Sequence, residues 1–205
     1  MKATLDPAIS PAAGGAAPDW LPGLMPPGYQ TRFAEIQRLT AELQGMDRMG
    51  RLLWQGGPSL QELVKEVLGA LKFETELTPG ATPQLIVRLD SKRRLLMEVI
   101  SGETAIEKRH PELAAAFQIL HQTAGDQDRV VLVASPHRHL APASRPDPLT
   151  PEALAFVTRM GVNVVTTATL FSLWNLSMQD QARGRTFIER LHAQDGGVFR
   201  LPATP

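Results

Sequence analysis

The stretch Gln84-Leu85-Ile86-Val87-Arg88-Leu89-Asp90-Ser91-Lys92-Arg93-Arg94-Leu95-Leu96-Met97-Glu98-Val99-Ile100 decides the fold. Its two β-rich runs, 84–89 and 95–100, enclose a charged segment and read as a hairpin with a polar tip. Before it, Phe73 to Leu77 alternates as a short strand, and the Pro- and Gly-rich segment 78–83 is a loop. After it, Pro111 opens a helix whose inner face is Leu113, Ala116, Phe117 and Leu120. Within Arg129–Ala134, Val130-Val131-Leu132-Val133 is continuously apolar, the pattern of a strand buried on both faces. Strands alternating with helices in this way predict an α/β domain with a mixed central sheet.

Further out, Gln55-Gly56-Gly57-Pro58 is a stop signal, and Ser59 is placed to cap a helix carrying Leu60, Leu63, Val64, Val67, Leu68 and Leu71 on one face. From Tyr29 to Trp54, Ile36, Leu39, Leu43, Met46 and Leu53 recur at near-heptad spacing, which predicts a helical arm able to associate with a partner or with itself. Residues 1–28 hold six prolines among small residues and read as a disordered leader, with Trp20, Leu21, Leu24 and Met25 as its only apolar cluster.

On the C-terminal side, 135–149 has four prolines and is a surface loop; Thr150-Pro151-Glu152 starts a helix to about Met160. Val162–Thr167 is a buried strand, Thr169 caps a helix with Leu170, Leu173, Trp174 and Leu176 inside, and Gln181–Ala193 is a last helix before Gly196-Gly197 and a loose tail. The organisation expected is a leader over 1–28, an arm over 29–56 and an α/β domain over 57–200.

Lys plus Arg equals 21 and Asp plus Glu equals 21, a balance that argues against a chain built mainly to coat nucleic acid. There is no cysteine, which excludes disulfides and thiolate chemistry and fits the cytoplasm. No apolar run approaches the roughly 20 residues needed to cross a bilayer. Aromatic residues make up 5%, too few for a platform that stacks single strands.

The order helix, short strand, hairpin, helix, buried strand from Ser59 to Val133 resembles the core of the restriction-endonuclease-like, or PD-(D/E)XK, superfamily. The run Leu52-Leu53-Trp54-Gln55-Gly56-Gly57-Pro58-Ser59-Leu60 with Val64, Leu68, Leu71 and Phe73 looks like the leading helix of bacterial members. Glu98-Val99-Ile100-Ser101-Gly102 stands where such proteins carry Glu-Val-Lys-Gly. Val131-Leu132-Val133, Arg145 and Val164-Val165-Thr166-Thr167-Ala168-Thr169-Leu170 resemble their later parts, so the likeness covers about residues 35–200.

A nuclease of this type holds Mg²⁺ with carboxylates from adjacent strands and supports the attacking water with a lysine two positions after the glutamate, on the same strand face. Here Glu98 matches the glutamate, but Ile100 occupies the lysine position and Gln84 the aspartate position. The acidic position of the leading helix falls at Gln61, beside Glu62, and Asp90 is a spare carboxylate at the hairpin tip. The resemblance therefore implies a nuclease-like fold without its catalytic set: a non-catalytic binding or scaffold module for a protein partner or nucleic acid, needing no cofactor. The alternative is a Mg²⁺-dependent nuclease in DNA processing. Unpaired on a half-buried strand, Glu98 is expected to be exposed or hydrogen-bonded to a neighbour. Any contact with phosphates falls to the loop residues Lys92, Arg93, Arg94, Arg138 and Arg145. His137 and His139 have the spacing of a metal-binding pair but no third ligand nearby, so a solvated loop is expected there.

Overall fold

The structure is a computed structural model that describes residues 21–78 and 80–201. The chain divides into two compact units, one ending at Gly45 and the other beginning at Met46. The division falls inside a helix, α1 (Tyr29–Gly50), and not at the stop signal before Pro58. Residues 1–20, Trp20 of the apolar cluster among them, lie outside the described residues. Leu21–Leu24 form a short 3-10 helix, so the part of the leader that is described is not without structure.

The second unit is built on one six-stranded sheet whose spatial order is its chain order: β1 (Glu74–Leu77), β2 (Leu85–Arg88), β3 (Arg94–Ser101), β4 (Arg129–Ser135), β5 (Asn163–Thr166) and β6 (Gly197–Val198). The first two junctions are antiparallel and the last three parallel, so the sheet is mixed. The hairpin stands as read, with Leu85 opposite Met97 and Arg88 opposite Arg94. The parallel junctions need crossovers. Helix α3 (Pro111–Gln122) supplies the one from β3 to β4, and α4 (Pro151–Arg159) the one from β4 to β5.

The alternation of β3 divides the core. Leu95, Met97 and Val99 face one side with α2 (Pro58–Ala70), α5 (Thr167–Gln179) and α6 (Gln181–Ala193). Leu96 and Ile100 face the other with Leu113, Ala116 and Ile119 of α3 and Ala153 and Val157 of α4. Helices on both faces explain why β4 reads as an unbroken apolar run.

Local details depart from the sequence reading for identifiable reasons. Helix α2 starts at Pro58, with Gly57 at φ +65° before it, because proline fits the first helical position; Ser59 is therefore already inside the helix. Helix α1 ends at Gly50 and a 3-10 turn, Arg51–Leu53, turns Leu52 rather than Leu53 into the core. In α3 the buried seam runs through Ile119, leaving Phe117 and Leu120 at its margin. Thr166, not Thr169, caps α5, its Oγ1 accepting from the Thr169 N–H. The tail is not loose up to Leu201: β6 pairs with β5, the Phe199 N–H donates to the Val164 carbonyl, and Phe199 is buried. Among the described residues no helix is long and apolar enough to cross a membrane.

Gly184 shows how tightly α6 sits. A Cβ added there would lie 2.5 Å from Leu71 Cδ2 and 3.0 Å from Ser177 Cβ, so only a hydrogen fits between α6, α5 and the end of α2. Gly184→Val is expected to lower unfolding stability by about 1–3 kcal/mol through overpacking, although valine is the better helix former. Denaturant melts of the two proteins measure this, and an unchanged midpoint would contradict the packing described.

Candidate functional site

The hairpin register brings together the positions that matter for the superfamily resemblance. Since Leu85 pairs with Met97, Gln84 is the next residue outward and lies beside Glu98. Glu98 is 1% exposed. Of the two outcomes expected for it, exposure or a hydrogen-bonded neighbour, exposure does not occur: it points, with Leu96 and Ile100, to the face covered by α3. The second half of that expectation fares better. The Gln84 backbone N–H and the Thr82 hydroxyl both face the carboxylate, yet Oε1 has no hydrogen-bond partner.

Burial disfavours the charge, and the nearby Glu112 carboxylate on the first turn of α3 disfavours it further; together they push the Glu98 carboxyl up to about 7 against the two hydrogen bonds. Glu112 escaped the sequence reading because nothing in its spacing ties it to Glu98; α3 folds it back over the strand. His110 Nδ1 lies 2.7 Å from Glu112 Oε2, without hydrogen-bond alignment.

This group does not suit Mg²⁺, a hard cation that demands oxygens converging in near-octahedral geometry. Gln84 is neutral, and its Oε1 is already occupied by the Val99 N–H at 3.0 Å. Ile100 is 1% exposed in the apolar layer against α3, where an ammonium would be desolvated. Helix α2, with Gln61 and Glu62, packs on the opposite face of the sheet from Glu98. Asp90 is fixed in the hairpin tip, where it accepts from the Lys92 and Arg93 backbone N–H groups and the Arg93 side chain; these hold its carboxyl far below the usual carboxylate range. Among the described residues no three His, Asp or Glu converge as a cation site, and His137 and His139 are no exception. His137 does adopt φ +51°, a left-handed conformation that aims its loop sharply.

The five basic residues fall into two groups at opposite ends of the sheet. Lys92, Arg93 and Arg94 lie at the start of β3, while Arg138 and Arg145 follow the end of β4, roughly 23 Å away along an eight-residue strand. Arg94 is bidentate to Asp128, at 3.0 and 2.6 Å, and Arg93 reaches Asp90 at 2.6 Å and Glu189 at 2.8 Å. Both are thus engaged in clamping the hairpin to its neighbours. Arg138 approaches Glu103 only at 4.0 Å and packs so close to Gly56 that a Cβ there would meet its Nη1 at 2.2 Å. Arg145 donates to the carbonyls of Leu140 and Leu53 and has no carboxylate partner among the described residues. Comparison with protein-family profiles, curated proteins and solved structures gives no match to the chain.

Glu98 makes stability depend on pH in a calculable direction. Its proton leaves the unfolded chain near pH 4.5 but stays on the folded chain up to about pH 7. In that window the folded state binds more protons, so stability falls as pH rises from 4.5 to 7 and stays low above it, by up to about 3 kcal/mol. Glu98→Gln is expected to flatten this slope and to be the more stable protein at pH 8. Urea melts from pH 4.5 to 8.5 test it; parallel curves for the two proteins would show that the carboxyl is not desolvated.

Proposed function

We propose that the chain is a non-catalytic binding module of the cytoplasm, built on a restriction-endonuclease-like core and held to a protein partner through α1. The helix–strand–strand–strand–helix–strand order within one mixed sheet supports the core, and the protonatable, walled-in Glu98 between Gln84 and Ile100 supports the loss of hydrolysis. The observation that carries the binding role is the surface of α1. None of its residues is buried, and Tyr29, Phe33, Ile36, Leu39, Leu43 and Met46 form one exposed apolar seam, with Ile36 54% and Leu43 62% exposed. Such a seam is a standing demand for another apolar face.

Charge selects the occupant. With Ile36 and Leu43 at the a positions of a heptad, Arg32, Leu39 and Met46 are at d, Glu35 and Glu42 at g, and Asp47 at e. A parallel second copy would set Arg32 against Arg32 and Glu42 against Asp47; an antiparallel one would set Glu35 against Glu42. The better partner is a helix of another protein with a leucine-rich seam and basic flanks, since flanking charges set partner choice. Arg38, which bridges Glu35 and Glu42, leaves this flank net acidic.

Full-length chain titrated with labelled four-heptad peptides, identical in seam but flanked by Lys or by Glu, is expected to bind the Lys peptide at least about tenfold more tightly. Leu39→Glu with Leu43→Glu should abolish binding while leaving the melting transition intact. Dimerisation of the free chain at micromolar concentration through this seam, or indifference to both peptides, would overturn the partner assignment.

The loss of hydrolysis has its own test. Long incubation with single-stranded DNA, duplex DNA or RNA and Mg²⁺ or Mn²⁺ is expected to leave the substrate intact. Cleavage that disappears both with a chelator and in Glu98→Ala would establish the nuclease reading instead.

A further inference from the structure

At the carboxyl ends of β4, β5 and β6 the structure forms a pocket of about 210 Å³, lined by the proline-rich loop after β4, the first turn of α5 and the segment after β6. Open α/β sheets place ligands outside the carboxyl ends of their parallel strands. We propose that this pocket binds a small organic phosphate monoester, with Arg145 holding the phosphate and Pro136, Val198 and Phe199 holding the carbon body.

The charge of the lining points to an anion. Its titratable residues are Arg145, Arg200 and Asp147. Arg200 and Asp147 neutralise each other at 2.9 Å. Arg145 is left with a full charge and no carboxylate partner among the described residues, although burial already strips water from it and lowers its proton affinity. A desolvated, uncompensated guanidinium is unfavourable in the free protein and is relieved by an oxyanion. Two of its five N–H donors are taken, by the carbonyls of Leu140 and Leu53, which fix the plane of the fork. The remaining donors suit bidentate phosphate contact.

The polar remainder of the lining also donates. Thr166 and Thr169 share one hydroxyl hydrogen bond at 3.0 Å, and Thr166 Oγ1 accepts from the Thr169 N–H, so one hydroxyl hydrogen of the pair is uncommitted. A phosphate monoester has three terminal oxygens for these donors, one more than a carboxylate offers. The prolines, Val198 and Phe199 give the rest of the pocket an apolar wall fitted to a carbon body rather than to a bare ion. The lining contains no residue of α1, so the proposal stands or falls independently of the partner assignment.

The test is calorimetric titration of the full chain with phenyl phosphate, with inorganic phosphate as competitor and benzyl alcohol as the uncharged control. Phenyl phosphate is expected to bind, phosphate to compete more weakly, and benzyl alcohol not to bind. Arg145→Lys, which keeps the charge but loses the fork, should weaken binding about tenfold or more. Because Arg145 also braces two loop carbonyls, a second variant keeps it intact: Ala168→Glu puts a carboxylate on the lining and should abolish binding with an unchanged melting temperature. Absence of binding at millimolar phenyl phosphate, or equal binding by wild type and both variants, would overturn the proposal. So would a 5′-phosphorylated oligonucleotide that binds far more tightly than phenyl phosphate and loses that advantage with salt, since the surface would then serve nucleic acid.

Discussion

The burial of β4 on both faces is the constraint from which the rest of the second unit follows. From Val130 to Pro136 every residue of this strand and its exit is buried. A strand in that position needs strands on both edges and helices on both faces, and the chain provides them in order: β3 and β5 as parallel neighbours, α3 and α4 on one side, α2, α5 and α6 on the other. Its polar ends are handled locally. Asp128, just before the strand, is buried against Arg94 and the Gly125 N–H, and Ser135 at its end meets the Thr167 hydroxyl at 3.1 Å. The Asp128 carboxyl is held below its ordinary value by Arg94 and the Gly125 amide, even though burial works against its charge.

That same geometry separates the molecule's polar features into places with different chemistry. The hairpin end is clamped by ion pairs and offers little free charge beyond Lys92. The sheet face at Glu98 is covered by α3, which leaves that carboxylate buried and brings a second one towards it. The carboxyl end of the sheet is open, and the loop after β4 hangs Arg145 over it without an acid to match. Glu98 and Arg145 are thus opposite cases of one principle. Each is a partly or wholly desolvated charge; the carboxyl relieves its penalty by keeping a proton, whereas the guanidinium cannot shed one and donates instead to the carbonyls of Leu140 and Leu53.

The two units differ in kind. Most of the large apolar residues described in the 46–205 unit are buried in its two core layers, packed down to a hydrogen-sized gap at Gly184, with Trp54 and Met178 among the exposed exceptions. In contrast, α1 buries none of its residues and displays Phe33, Ile36 and Leu43 on its surface.

The sequence by itself determined the hairpin of 84–100, the buried run of β4, the start of α4 at Thr150-Pro151, the whole of α6 and the apolar seam of α1. Each is written in a local signal: period two, an unbroken apolar run, a capping residue with proline, or period 3.5. It also determined that Gln84 carries no charge and that Ile100 carries neither a charge nor a hydrogen-bond donor. The tertiary structure alone decided that Glu98 is buried, that Glu112 lies close enough to raise its pKa, that Phe199 belongs to the core, and that the five basic loop residues divide between two ends of the sheet. These are contacts between residues tens of positions apart. Local periodicity fixes which face of an element a side chain takes, but only packing fixes what that face meets.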